Sequence, residues 1–84
     1  MMSRMHSTED HAALQRLIDT LFAERRRVPR LEFIVRAELA DIAGDVLDVV
    51  TLLPPGTYSR DRLCDQLNSA ITAHGWGRSL GTVH

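Results

Sequence analysis

The chain has 84 residues, of which ten arginines nearly balance eleven acidic residues, giving a net charge of −1. A chain of this length forms one small domain, and its hydrophobic fraction of 44% argues against disorder of the whole chain. Near neutrality excludes a global field that would attract nucleic acid or an anionic membrane.

Cys64 is the single cysteine, so no intramolecular disulfide can form. No window reaches the roughly 18 apolar residues of a membrane span. We therefore expect a cytoplasmic protein with one domain over residues 7–84 and a disordered segment over residues 1–6.

The first predicted helix begins at Ser7 or Thr8, either of which can cap it. Its apolar residues recur at helical spacing along one face. These residues are Leu14, Leu17, Ile18, Leu21 and Phe22. The helix is expected to end in Arg25, Arg26 and Arg27, whose charge complements the negative end of the helix dipole.

A second helix is predicted from Arg30. Pro29 disfavours helix in the residue before it but suits the first turn of a new helix. Its buried stripe is expected to comprise Leu31, Ile34, Val35, Leu39 and Ile42. At Gly44 two alternatives remain. The helix either continues through Gly44, overhanging a compact monomer and requiring a second copy, or it breaks. We favour the break, with Gly44 in a left-handed conformation and Asp45 capping the next helix.

Residues 45–53 form the most apolar stretch, and Pro54-Pro55-Gly56 ends it. A helix there would be apolar on almost every side, which predicts a buried central helix. Ser59 is the predicted N-cap of a last helix that ends at Gly75, with Tyr58 and Leu63 packing across its first turn. The sequence shows no internal repeat. The expected fold is all-α, a small bundle of three to four short helices around the central one, with an irregular or strand-like tail.

Residues 39–44 resemble the centre of a helix-turn-helix DNA-binding motif, in which Leu-Ala precedes a turn glycine. That resemblance implies that the following helix reads DNA. This helix instead carries six aliphatic residues together with Asp45 and Asp48, which DNA would repel. We therefore do not expect it to enter a DNA groove.

One basic cluster could contact phosphates. It consists of Arg25, Arg26, Arg27 and Arg30. The alternative is a solvated helix end, which we favour because no aromatic residue is interleaved with the arginines.

Acidic residues step along the middle of the chain at helical spacing. They are Glu38, Asp41, Asp45 and Asp48. A solvated face is the simplest interpretation, and a docking face for a basic partner is the functional one. Trp76, between Gly75 and Gly77, either covers the core or anchors an interface. The partner-binding candidates are thus Glu38, Asp41, Asp48 and Trp76.

Catalysis has little support in the sequence. Cys64 and His74 lie too far apart along one helix to cooperate, and His6, His11, His74 and His84 are scattered. We expect no catalytic residue, no metal and no cofactor. The favoured hypothesis is a small protein–protein interaction or regulatory module that binds an unidentified protein or a second copy of itself. A nucleic-acid-binding regulator using the basic cluster is the alternative.

Overall fold

The computed structural model describes residues 8–76 and 80–84, which form four helices and two short strands. In chain order they are α1 (Thr8–Leu21), β1 (Arg27–Pro29), α2 (Arg30–Leu39), α3 (Gly44–Val50), β2 (Thr57–Ser59) and α4 (Arg60–Ala73). The fold is mostly helical, but it is α+β and not all-α as predicted. The expected disorder of residues 1–6 and the cap at Ser7 lie outside the described residues. None of the described helices is long and apolar enough to cross a membrane.

The two strands pair antiparallel, with Val28 opposite Tyr58 and Arg27 opposite Ser59. Pro29 holds Val28 in an extended conformation, and valine and tyrosine both favour strands. Pro29 cannot donate a backbone hydrogen bond, and the ladder is continued instead by Arg30, whose backbone N–H donates to the carbonyl oxygen of Gly56 at 2.9 Å. Val28 and Tyr58 are both buried, so the small sheet contributes directly to the core.

Each strand lies between two helices, so the chain consists of two similar halves. The first half is α1–β1–α2 and the second is α3–β2–α4. Seven buried residues of each half follow the same order and helical spacing: Leu14, Leu17, Ile18, Leu21, Val28, Phe33 and Ala37 in the first half, and Val46, Val49, Val50, Leu53, Tyr58, Leu63 and Leu67 in the second. Helix α4 buries Cys64 and Ile71 in addition. The repeat is one of burial and not of residue identity, which is why the sequence did not reveal it.

The first helix ends at Leu21, earlier than predicted, although the predicted residues Leu14, Leu17, Ile18 and Leu21 are all buried. Arg25 and Arg26 lie in the following loop, and Arg27 belongs to β1. These arginines therefore do not cap the helix dipole. The pairing of β1 with β2 requires an extended chain at this point, and this overrides the helical pattern.

The predicted break between the second and third helices is confirmed, but its geometry differs from the prediction. Asp41, not Gly44, adopts the left-handed conformation, with φ of 57°. The N–H of Asp41 donates to Glu38, and that of Ile42 donates to Ala37, so α2 ends in a Schellman motif. Gly44 is the first residue of α3, without a positive φ, and the N-cap is Ala43 in place of Asp45.

The last helix matches its prediction closely. The hydroxyl of Ser59 accepts a hydrogen bond from the backbone N–H of Arg62 at 3.3 Å. Tyr58 and Leu63 on either side of this cap are buried in one core. Gly75, with φ of 76°, ends the helix in the same Schellman motif that ends α2.

The third helix is shorter and less central than predicted. It spans seven residues and buries Val46, Val49 and Val50. Asp48, in the same helix, is exposed to solvent. Leu52, just beyond the helix, is 56% exposed. The core is therefore shared by all four helices and both strands, and α3 is not a hub that the others surround.

Residues 80–84 have no regular secondary structure, and side chains of α1 and α4 bind their backbone. Asn68 bonds Val83 twice, accepting from its N–H at 2.8 Å and donating to its carbonyl oxygen at 2.9 Å. Gln15 bonds His84 in the same two-fold way, and His11 donates to the carbonyl oxygen of Thr82. Leu80 and Val83 are buried, so this segment closes the core between α1 and α4.

Candidate docking surface

The outer face of α2 exposes three large apolar side chains in a row. Leu31 is 68% exposed, Val35 42% and Leu39 75%. Residues four apart lie on one side of a helix, so the three form a continuous strip, called here the α2 stripe. Phe33 and Ala37, on the opposite side of α2, are fully buried. The prediction that Leu31, Val35 and Leu39 belong to the core is therefore wrong, because α2 has two apolar sides and only the other one faces inward.

The corresponding places in α4 are polar. Counted from the arginine that begins each helix, the residues of the α2 stripe match Asp61, Asp65 and Ser69, all of them exposed. The two helices occupy equivalent places in their halves. The polar residues of α4 show that this face of the fold does not require apolar side chains.

A groove of about 300 Å³ between α1 and α2 adjoins the stripe. Leu39 forms one of its edges, and Ala13 and Leu17 of α1 contribute to its apolar lining. The groove extends the exposed apolar surface from α2 onto α1. A cleft beside a raised apolar strip is the geometry that accepts an amphipathic helix from a partner.

Two arginines flank this groove. Arg16 of α1 and Arg36 of α2 both line it, and both are exposed. Within the residues that the structure describes, neither guanidinium has an ion-pair partner. Glu32, one turn before Arg36, is instead paired with Arg25. The groove therefore has a net positive rim.

The predicted acidic candidates do not form one face. Glu38 lies in the last turn of α2, Asp41 in the turn after it, and Asp48 in α3. All three are exposed, but the break at residues 40–43 places them on three separate elements. Glu38 alone lies beside the α2 stripe, so of these residues it is the one placed to contact a partner bound there.

Trp76 is half-buried and packs against the hydrophobic core. Its ring lies 5.2 Å from the His74 ring, centroid to centroid. The backbone N–H of Trp76 donates to the carbonyl oxygen of Ile71 in the motif that ends α4. These contacts agree with a ring that covers the core. A role of Trp76 in partner binding stays a prediction.

The basic cluster is divided among different structural roles. Arg30 bonds the end of α3, donating from Nε to the Leu53 carbonyl oxygen at 2.6 Å and from Nη2 to that of Thr51 at 2.8 Å. Arg25 is paired with Glu32. Arg26 and Arg27 remain exposed. Among the described residues, a phosphate would therefore meet only Arg26 and Arg27 without an ion-pair or hydrogen-bond partner for the side chain, and not the four arginines of the predicted cluster.

The described part of the chain contains no arrangement of side chains suited to nucleophilic catalysis or to metal binding. Burial raises the pKa of the Cys64 thiol, which disfavours the reactive thiolate. Calcium-binding helix–loop–helix motifs place oxygen donors at alternate loop positions and a glutamate at the start of the second helix. Around Gly56 those places hold Leu53, Pro55 and Arg62, which cannot coordinate a cation through their side chains. No cluster of three or more potential ligands occurs among the described residues.

No protein-family model matches the sequence, and no curated protein or solved structure shows significant similarity to it. Sequence reasoning missed the α2 stripe, although a signal for it existed: Phe33 and Ala37 form a second apolar side of the helix, and one helix of a small domain rarely buries both.

Proposed function

We propose that this protein is a protein–protein interaction module that binds an amphipathic helix of another protein along the α2 stripe and the adjoining groove. The observation that carries the proposal is the exposure of Leu31, Val35 and Leu39 on a face that is polar in the equivalent helix α4. Among the described residues four large apolar side chains are exposed, and three of them form this stripe. Contiguous apolar patches of this kind mark interaction sites.

The size of the surface favours a helix over a second copy of the chain. Three such side chains expose on the order of a few hundred Å², and α2 is only ten residues long. A stable dimer usually buries roughly 800 Å² on each partner. A partner helix that rests on the stripe and also enters the groove contacts both α2 and α1. We expect affinities in the micromolar range.

The basic cluster supports the nucleic-acid alternative less well. Arg25 and Arg30 are engaged within the molecule, and the net charge of −1 provides no attraction at long range. We therefore retain partner binding as the single proposed function.

The decisive variant gives α2 the outer face of α4: the triple substitution Leu31→Asp, Val35→Asp and Leu39→Ser. Because all three side chains are exposed, the free energy of unfolding should change by no more than about 1 kcal/mol. A displayed library of amphipathic helical peptides, with fixed leucines on one face and randomised residues on its edges, provides the probe. Peptides selected on the wild-type protein should lose at least tenfold in affinity for the triple variant.

Leu52→Ser is the matched control, since Leu52 is an exposed leucine away from the stripe. It should leave peptide affinity unchanged. Failure to select any peptide on the wild-type protein would contradict the proposal. So would sedimentation of the wild type as a dimer that the triple variant converts to a monomer, because the stripe would then belong to a second copy.

A further inference from the structure

Resting on the proposed function, we propose that the bound helix carries carboxylates along one edge of its apolar face, where Arg16 and Arg36 receive them. The partner is thus an acidic amphipathic helix and not simply an apolar one. The two arginines come from different helices of the first half, yet they line the same groove. A helix seated there passes between them.

The charges available at the groove are not already neutralised. Arg25 pairs with Glu32, and Arg60 pairs with Asp19, but within the described residues Arg16 and Arg36 have no such carboxylate. Their guanidinium groups can bind a carboxylate through two parallel hydrogen bonds. A partner carboxylate at this edge would therefore gain two donors without breaking an existing ion pair.

The opposite edge of the α2 stripe has the opposite charge. Glu38 follows Arg36 by two residues, which places the two side chains on opposite sides of the helix. The exposed Glu38 would repel an acidic residue, whereas Arg36 would attract it. The carboxylates of the partner therefore belong on the edge that faces α1, and this asymmetry fixes how the bound helix is rotated about its axis.

Exposed ion pairs are weak individually, so the expected effects are moderate and sensitive to salt. Reversing both charges, Arg16→Glu with Arg36→Glu, should lower the affinity for an acidic peptide by about tenfold or more. Raising the ionic strength should reduce the affinity of the wild-type protein for the same peptide and reduce that of an uncharged peptide much less.

The test uses three synthetic helical peptides that share the same leucines and carry Glu, Gln or Lys at the edge positions. Fluorescence anisotropy measures the affinity of each for the wild-type protein and for the double variant. The wild type should bind the Glu peptide most tightly and the Lys peptide least. The double variant should reverse this order, and Arg16→Gln with Arg36→Gln should abolish it.

The double substitution Arg26→Glu with Arg27→Glu is the control for the same change of net charge, because both arginines are exposed and neither lines the groove. It should leave the order of the three peptides as in the wild type. Equal binding of all three peptides, with continued dependence on the α2 stripe, would overturn this inference and leave the proposed function intact. Absence of binding by any of them would overturn both.

Discussion

The two halves of the molecule bury the same pattern of side chains and expose different ones. In each half four apolar residues in or just after the first helix, one of the strand and two of the second helix enter the core at matching positions, and α4 adds Cys64 and Ile71. On the outside, α4 presents Asp61, Asp65 and Ser69 where α2 presents Leu31, Val35 and Leu39. The core pattern is what the fold demands, since both halves share it. The apolar outer face of α2 is not shared by α4, and we propose that it serves to bind a partner.

The arginine that begins the second helix of each half makes a similar comparison. Arg30 reaches the end of α3, and Arg60 reaches α1, so each links its own half to the first helix of the other. Arg30 bonds backbone carbonyl oxygens that the end of a helix leaves unpaired. Arg60 instead pairs with the exposed side chain of Asp19 and also donates to the carbonyl oxygen of His84 at 3.0 Å. We therefore expect Arg30 to contribute more to stability than Arg60, although the two residues occupy equivalent positions.

The largest losses of stability are expected for substitutions at buried positions that the two halves share. Ile18 and Val50 occupy matching places, and neither is exposed at all. Ile18→Asp and Val50→Asp should each bury an unpaired charge and cost several kcal/mol, enough to prevent folding of a small domain. Chemical denaturation measures the loss. If either variant melted within a few degrees of the wild type, the matching of the two cores would be wrong.

The two arginines should differ in a measurable way. Arg30→Ala removes two charge-assisted hydrogen bonds to carbonyl oxygens and should cost about 2 kcal/mol of unfolding free energy. Arg60→Ala removes a solvent-exposed pair and should cost less than about 1 kcal/mol. Equal losses for the two substitutions would show that the bonds of Arg30 to α3 contribute no more than a surface ion pair.

The pH dependence of the free energy of unfolding should also distinguish Arg30 from Arg60. Hydrogen bonds from Arg60, and then from Gln15, hold the pKa of Asp19 below its ordinary value. A lowered pKa means that the stabilisation is present at neutral pH and is lost as pH falls through that pKa. The difference in stability between wild type and Arg60→Ala should therefore shrink in acid, whereas the difference for Arg30→Ala should not.

Helix starts differ between the halves as well. Ser59 caps α4, while Pro29 at the start of α2 provides no side-chain cap. Ser59→Ala should cost about 1 kcal/mol, and Ser59→Asp should be close to neutral because aspartate can accept the same N–H. Thermal denaturation of both variants is the measurement. Similar losses in the two would mean that the hydroxyl of Ser59 does not act as the cap.

The smallest effects concern the helix ends. Asp41 holds the left-handed position that Gly75 holds after α4. Asp41→Gly should therefore stabilise the protein by up to about 1 kcal/mol, and Gly75→Ala should destabilise it by a similar amount. Gly44→Ala should gain a few tenths of a kcal/mol, since Gly44 is helical and an added Cβ meets no atom within 4 Å. Destabilisation by Gly44→Ala would restore the predicted left-handed turn at that residue.

The features that the sequence predicted correctly are those governed by local rules. The buried stripe of α1, the Ser59 cap and the end of α4 at Gly75 depend on residues within a turn or two of each other. The break between α2 and α3 was also predictable. The identity of the left-handed residue was not predictable, because glycine usually takes such a position and the prediction therefore chose Gly44, whereas Asp41 takes it.

The errors arise where distant segments decide the structure. Three-residue strands carry too little pattern to detect, and β1 and β2 form because residues 27–29 and 57–59 meet. Pairing between them also shortens α1. The side of α2 that faces inward is equally a tertiary matter, since both Phe33 with Ala37 and Leu31 with Val35 offer an apolar face. The role of Arg30 depends on its contact with the distant Thr51 and Leu53.

We propose that the outer face of α2, and not its counterpart on α4, binds a partner helix. Amide chemical-shift mapping of the wild-type protein, titrated with the leucine peptide that carries glutamates, tests this most directly. We expect the largest shifts at residues 13–20 and 31–40, around the α2 stripe and the groove. Shifts centred on residues 61–73 of α4, or spread evenly over both halves, would contradict it.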